Sequence, residues 1–472
     1  RDAQESRGLG DVYKRQGQVS TRNYIRTRTM LNETGSSYMD LIVYYDGLGR
    51  PFQTVFKGIT PSNQNLVSLQ EFDEMGRESK SWLPVVSTSD YVAAGDFISN
   101  APGSYNNDSR PYYQSVYEFS PLNRMVQQYG PGVAWHSGHS VTTEYLVNTT
   151  ISPLNCINYS VNSSGSLVNN GNYASSRLYV TKTIDEDDNI GYVFIDKLER
   201  AVLTRQMKDN VPHDTYYVYD DYGNLSFVLQ PMYQDNKNLS LYAFQYKYDE
   251  RNRCVEKKQP GAETVKYVYD MTDKLVFSQD GNQRALGQWA FYLYDKFLRL
   301  TVAGVCNNAN TASASSSTVT CTYVTSNGGL GNSGYFSSFV LTTPIIHQVN
   351  YYDNYDFRSL TGFTNVSYFP AALVDAKGRQ TGSIITVLGS GTKLYSANYY
   401  DIKGRVVKSV SSNHMGGYET INTAYTFTGK PLTVQHVHTA SGKNTQTELY
   451  TYMYDHAAVS YTHLTLPTTE RG

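Results

Sequence analysis

Cysteine, tryptophan and charge are all scarce in this chain, with 4 Cys, 3 Trp and 17% charged residues among 472. Cys156, Cys254, Cys306 and Cys321 form no CxxC pair, and no histidine stands at zinc-ligand spacing from them. Cys306 and Cys321 could bridge a loop; four separate reduced thiols is an equally good reading. The formal net charge of -2 supplies no overall field toward nucleic acid or an acidic membrane. No apolar run approaches the length of a membrane span, and the longest, 339–346, is broken by Thr342, Thr343 and Pro344. Long stretches of Ala, Leu, Glu and Lys are missing, which argues against substantial helix. Also missing are a Gly-x-Ser-x-Gly elbow, a phosphate-binding glycine loop and a His-Glu-x-x-His helix.

Tyrosine is in excess, with 43 against 17 phenylalanines. It favours a pleated, half-buried surface on which the ring packs and the hydroxyl stays wet, so with abundant Thr, Val and Ser it predicts an all-β chain. One unit recurs: aromatic-Asp-x-x-Gly-Arg, then an apolar alternation. Its clearest copies are Tyr45-Asp46 with Gly49 and Arg50, Phe72-Asp73 with Gly76 and Arg77, and Tyr400-Asp401 with Gly404 and Arg405. Tyr219-Asp220 keeps Gly223, whereas Tyr248-Asp249, Tyr269-Asp270 and Tyr294-Asp295 carry Asn252, Asp273 and Leu298 at the glycine position. Ile195-Asp196 with Glu199-Arg200, and Tyr352-Asp353 with Asp356, are weaker copies, and Tyr454-Asp455 begins another. Steps of roughly 21 to 29 residues fall in the solenoid range. The step from Tyr352 to Tyr400 is about double, which predicts a degenerate copy between them.

The unit predicts a strand, a tight turn and a returning strand. The Asp accepts hydrogen bonds from turn amides, and Gly supplies the positive φ of the reversal, with Asn and Asp next best. Leu298 does not suit that position, so a different turn is expected there. Stacked units would align their tyrosines into ladders, while Arg50, Arg77 and Arg405 pair with neighbouring Asp or lie over tyrosine rings. Residues 307–338 are expected to be a loop insertion with one short strand near 319–324, and 91–108 and 155–172 to be polar connections.

The two ends read differently. Asp11 to Gln16 is what GAT GTG TAT AAG AGA CAG encodes, and Val459 to Leu464 is what GTC TCT TAT ACA CAT CT(N) encodes. These strings are reverse complements and resemble a transposon end used in sequencing libraries. Residues 1–16 and 459–472 are therefore expected not to be native protein, and the lack of a leader carries no information on localisation. The remainder divides into an N-terminal β region (17–150), repeats with the loop insertion (151–330) and further repeats (331–458).

The repeats resemble the YD repeats of RHS proteins, which include bacterial wall-associated proteins, insecticidal toxin-complex cages and the teneurins. The stretch 44–55, with Tyr117 to Arg124 and Gly130-Pro131-Gly132, looks like the opening region of such proteins from Bacteroidetes. The stretch 399–408, with Asn413 to Gly417 and Phe427 to Lys430, looks like the array that follows. The resemblance implies β-hairpins wound as a solenoid into part of a hollow shell, on a secreted or cell-surface protein. Its implied partners are the remaining repeats and core of the same polypeptide and an enclosed C-terminal toxin released by a self-cleaving core. That core carries an Asp-Pro motif, and no Asp-Pro occurs here, so cleavage site and cargo are expected to lie outside this stretch.

Sites for chemistry are few. The acidic run Asp185 to Asn189 lacks the spacing of a calcium loop, since Gly191 is misplaced and Glu199 too distant, and it reads as a solvated turn. His136 and His139 share a loop without a carboxylate beside them; they and His414 read as surface residues. The repeated Asp residues hold a fixed place before each turn, which suits turn capping better than paired acid catalysis. No cofactor, metal, nucleic acid or membrane span is expected. A structural shell is the leading reading, an adhesin contacting glycans or proteins through its tyrosines the second, and an enzyme the least supported.

Overall fold

The computed structural model describes residues 12–15, 22–307, 311–324, 328–371, 376–454 and 460–463. Asp455 lies outside them. Backbone strands are present at Val12–Arg15 and Ser460–His463, within the two ends whose coding resembles library DNA. The described residues form antiparallel β-structure in two compact units, one holding those up to 221 with 228–236, 454 and 460–461, the other those at 222–227, from 237 to 453, and 462–463. The longest helix among the described residues, Ala94–Ser104, has 11 residues. No helix among the described residues is long and apolar enough to cross a membrane.

The first unit is a meander of hairpins. Asn23–Met30, Tyr38–Tyr45, Pro51–Lys57 and Asn65–Phe72 pair in turn, and Asn65–Phe72 then divides its partners between Glu78–Trp82 and Val85–Ser87. The path continues through Tyr112–Tyr117, Met125–Tyr129, Ser140–Val147, Tyr179–Ile184, Ile190–Ile195, Ala201–Lys208 and Val211–Tyr219. Alternation sets the core: along Tyr38–Tyr45 and Asn65–Phe72 every second residue is buried, which sends Ile42, Tyr44, Val67 and Leu69 to one face.

Two stretches expected to be polar connections are ordered elements. Within 91–108, Ala94–Ser104 is helical although it contains Gly95, Pro102 and Gly103. Its stability comes from Phe97 and Ala101, both 1% exposed and one turn apart, with Phe97 edge-on to Trp82 at 6.2 Å; burial of one face outweighs weak propensity. Within 155–172, Ile157–Val161 and Leu167–Asn172 form a separate two-stranded sheet.

The second unit repeats the meander through Ala243–Tyr248, Cys254–Lys258, Val265–Tyr269, Leu275–Gln279, Gln288–Tyr294 and Leu300–Asn307. It continues through Ile345–Asp353, Ala376–Thr386, Lys393–Tyr400, Val406–Ser412, Tyr418–Tyr425, Pro431–His438 and Gln446–Tyr454. The strand expected near 319–324 is Cys321–Tyr323, paired with Tyr335–Ser337. This insertion packs on the core, where Cys321 and Tyr335 join Val302, Val349 and Tyr351. All four cysteines are free, so Cys306 and Cys321 are not bridged.

Candidate functional site

The feature that recurs at every clear copy of the repeat is its turn. At Tyr45 to Arg50, the Asp46 amide donates to the Arg50 carbonyl (3.0 Å) and the Gly49 amide to the Asp46 carbonyl (3.1 Å). Asp46 Oδ1 accepts from the amides of Leu48 and Arg50, both at 2.9 Å, and Oδ2 takes Arg50 Nε at 2.8 Å. This is a three-residue hairpin loop closed by a bulge, with its third loop residue in the left-handed region. The same scheme forms at Asp73, Asp196, Asp249, Asp295 and Asp401, each paired with the arginine four residues on.

The glycine position behaves as the sequence suggests at Gly49, Gly76, Gly223 and Gly404, with φ between +78° and +86°. Asn252 (+58°) and Asp273 (+62°) take its place. The expectation of a different turn at Leu298 is wrong. Leu298 has φ +65°, and its amide donates to the Asp295 carbonyl at 3.1 Å, so the turn is the common one. The capping bonds made by Asp295 outweigh the steric cost of a side chain in that region.

The Tyr352 copy is also revised. Tyr352 pairs with Gln380, just as Tyr45 pairs with Pro51 and Tyr400 with Val406, the residue after each turn arginine. Gly378 (φ +78°) therefore takes the glycine position in place of Asp356, which lies in the short helix Asp356–Ser359. Asp353 Oδ1 accepts the Gly378 amide at 2.7 Å. One turn has been split by an insertion that buries Phe357, Phe363 and Phe369, so the long step to Tyr400 comes from this insertion and not from an extra, degenerate copy.

Successive turns are bound to one another. Each turn arginine lies over the aromatic residue of the next copy: Arg50 over Phe72 at 4.3 Å, Arg200 over Tyr219 at 4.8 Å, Arg253 over Tyr269 at 5.1 Å, Arg299 over Tyr352 at 4.4 Å. The tyrosine answers with its hydroxyl, which donates to the carbonyl of the residue after that arginine. Tyr219 reaches Ala201 (2.9 Å), Tyr269 Cys254 (3.1 Å), Tyr352 Leu300 (2.9 Å) and Tyr400 Gln380 (2.5 Å), and Tyr248 reaches Leu225 (2.9 Å), which follows Asn224 at the arginine position. Arginine also donates to the carbonyl that opens the next turn, as Arg253 Nη1 does to Asp270 (3.0 Å). The expected tyrosine ladder is thus a ladder of rings and guanidinium groups in alternation.

Asp270 departs in one respect. Its carboxylate is buried, bonds the Lys274 amide, and accepts the Val319 amide at 3.1 Å, which fastens the insertion after residue 307 to the array.

Several turns that the sequence reading passed over follow the same scheme. The acidic run is one: Asp185 receives the amides of Asp187 and Asn189, and Asp188 takes the glycine position at φ +62°. The Asp185 carboxylate is directed into the turn. Asn413 with Gly416, and Thr426 with Gly429, are others. The usable signal was any short hydrogen-bonding side chain three residues before Gly, Asn or Asp.

The histidines are dispersed. His136 stacks on Tyr129 with ring centroids 4.7 Å apart and contacts the Gly132 carbonyl; His139 contacts the Glu186 carbonyl. His414 is exposed on the Asn413 turn. A cluster absent from the sequence reading places Glu419 between His436 Nε2 (2.8 Å) and His438 Nδ1 (2.6 Å). Alternate residues of one strand share a face, which brings both rings to one carboxylate.

A family described as a domain of unknown function, DUF6443, matches residues 18–147. No curated protein sequence matches the chain. Among solved structures, TcdB2-TccC3 aligns with a TM-score of 0.56 at 12% identity, over 93% of this chain and 20% of that one. TcdB2-TccC3-TEV and the Tc holotoxin pore of Photorhabdus luminescens each align with a TM-score of 0.50 at 12% identity, again over 93% and 20%. The chain spans about a fifth of the length of these structures and shares its fold with that part of them.

Proposed function

We propose that this chain is a wall segment of a larger secreted or cell-surface RHS protein, whose shell encloses and delivers a toxic C-terminal domain. The carrying observation is the turn-to-turn bond. Each arginine serves its own aspartate and the next aromatic residue, so hairpins are held in fixed register along the array, as a wall requires. The likeness of fold to toxin-complex structures over nearly the whole chain supports the same reading. The match of residues 18–147 to one family supports treating 17–150 as a distinct N-terminal region. In this role the recurrent Asp, Arg and Tyr are structural, and the partners are further repeats of the same polypeptide.

The test is to recover the complete reading frame, express the whole protein, and image it by electron cryomicroscopy alongside limited proteolysis. A closed wall around a protease-protected C-terminal region is expected. An open array ending in a surface-anchoring segment would reject the shell and leave the adhesin reading in its place.

A further inference from the structure

Three strands of the second unit turn a cluster of titratable side chains to one face, apart from the arginine ladder. In register, Glu419 lies opposite His438, and His436 lies opposite Glu448 on the next strand. The alternation of Pro431–His438 puts both rings on the face that carries Glu419. His436 Nε2 meets Glu419 Oε2 at 2.8 Å, and His438 Nδ1 meets Oε1 at 2.6 Å. His436 Nδ1 stands 3.8 Å from Glu448 Oε2, which also accepts the Tyr450 hydroxyl at 2.7 Å. On the other side Ser411 lies opposite Glu419. Asn413 Nδ2 donates to Glu419 Oε1 at 2.9 Å and to the Thr439 carbonyl at 2.8 Å.

Among the described residues, no Lys or Arg pairs with Glu419 or Glu448. With both rings neutral the cluster therefore holds two carboxylates and no cation; with both protonated its charges balance. Histidine is the side chain that makes this change between about pH 8 and 5. Protonation also turns the two bonds to Glu419 into charge-assisted ones, roughly twice as strong as neutral ones. Glu419 remains the anionic partner through that range. Burial acts upward on its carboxyl and is outweighed by hydrogen bonds from Asn413, His438 and His436, which hold it below its ordinary 4.5. The hairpin that carries the cluster turns at Thr426 to Lys430, where Thr and Lys stand in place of a pair such as Asp401 and Arg405. The Asp–Arg pair of other turns is exchanged here for one that depends on protonation.

We propose that this cluster is a pH-dependent clasp, closed in mild acid, when His436 and His438 take up protons and hold Tyr418–Tyr425, Pro431–His438 and Gln446–Tyr454 together through Glu419 and Glu448. The gain is present where the rings are charged and is lost as pH rises through their titration. At the acid end it is lost again as Glu419 is protonated. Its effect is local: these strands open less readily in mild acid than at neutral pH. This inference goes beyond the shell reading and does not depend on it.

The test is amide hydrogen exchange of the full chain in EDTA at about pH 7.5 and about pH 5.5, each rate divided by the intrinsic rate at that pH. Amides of the three strands should exchange about ten-fold more slowly at the lower pH. The hairpin of Ala243–Tyr248 and Cys254–Lys258, closed by Asp249 and Arg253, should change less than about two-fold. In His436→Gln/His438→Gln, which keeps hydrogen-bonding groups but cannot gain charge, the difference between the two pH values should vanish, as it should in Glu419→Gln. An unchanged rate in the native chain, an equal slowing of the Ala243–Lys258 hairpin, or a full effect in the double variant would overturn the assignment. The comparison of the two hairpins within the native chain decides the matter even where a variant fails to fold.

Discussion

The guanidinium of Arg405 lies 4.7 Å from the centroid of the Tyr425 ring, and the Tyr425 hydroxyl donates at 2.7 Å to the carbonyl of Val406. Arg405 meanwhile pairs with Asp401 and donates from Nη1 to the Thr426 carbonyl at 3.0 Å. One side chain thus closes its own turn and fixes the position of the next. The same relation joins Arg77 to Tyr117 and Arg124 to Tyr145.

Arg405→Ala removes all three contacts and is expected to cost about 1–2 kcal/mol, a charged hydrogen bond and a ring contact discounted for partial exposure. Arg405→Lys should recover less than half, because an ammonium cannot serve Asp401 and Thr426 as a planar fork. Tyr425→Phe should cost about 1 kcal/mol. In urea denaturation the Arg405→Ala/Tyr425→Phe pair should lose less than the sum of the single losses. Strict additivity would show that the two residues do not act together.

Leu298 and Gly49 occupy the same turn position, at φ +65° and +78°. Leu298 is 63% exposed, so replacing it with glycine sacrifices little burial and removes left-handed strain. Leu298→Gly should raise stability by about 0.5–1 kcal/mol, while Gly49→Ala, which meets no neighbour within 4 Å, should lower it by about 1 kcal/mol. Paired thermal melts decide this. Two changes of the same sign would contradict the shared turn geometry.

Legibility in the sequence followed the range of each interaction. The turns could be read because Asp46 caps amides within four residues of itself, and strand alternation is equally local. The arginine-to-next-tyrosine contact joins residues 16 apart (Arg253 to Tyr269), 19 apart (Arg200 to Tyr219) or more, and spacing alone does not say which ring receives which cation. The split Tyr352 turn was hidden because its aspartate and glycine, Asp353 and Gly378, are separated by a buried aromatic insertion. The Ala94–Ser104 helix was hidden because Gly95, Pro102 and Gly103 mask a stability that comes from Phe97 against Trp82. The packing of the 148–178 segment depends on Asn148 and Arg205, whose roles appear only once distant segments have been brought together.

The cysteines give a direct check on packing. Burial pushes the Cys156 thiol up to about 12 and those of Cys306 and Cys321 up to about 11. At pH 8 these thiols stay protonated and enclosed. A chromogenic disulfide reagent should therefore modify Cys254 alone, slowly, in the native chain. All four should react after denaturation without reductant. Two missing thiols in the denatured sample would mean that Cys306 and Cys321 are bridged after all.

Acid should loosen the array as its turn carboxylates are protonated. For Asp46 the Arg50 amide is the largest influence lowering the carboxylate below its ordinary 3.8. For Asp73, Asp249 and Asp401 burial acts in the opposite direction and is outweighed by the arginine four residues on and by the turn amides. Glu118 is held at about 2 against an ordinary 4.5, chiefly by hydrogen bonds from Arg124 and then Ser120. A carboxylate with a depressed value in the folded state contributes stability that is fully present above its unfolded value. That contribution is lost as pH falls through the folded value. Stability should therefore lack any contribution from these groups to its pH dependence between pH 7 and about 5, then decline progressively from about pH 4.5 to 2. Glu118→Gln should lower stability at pH 7 and flatten the part of the decline between about 4.5 and 2. Urea midpoints measured across that range test both statements. A midpoint that rises on acidification from pH 4.5 would show that the turn carboxylates are not held by their arginines in solution.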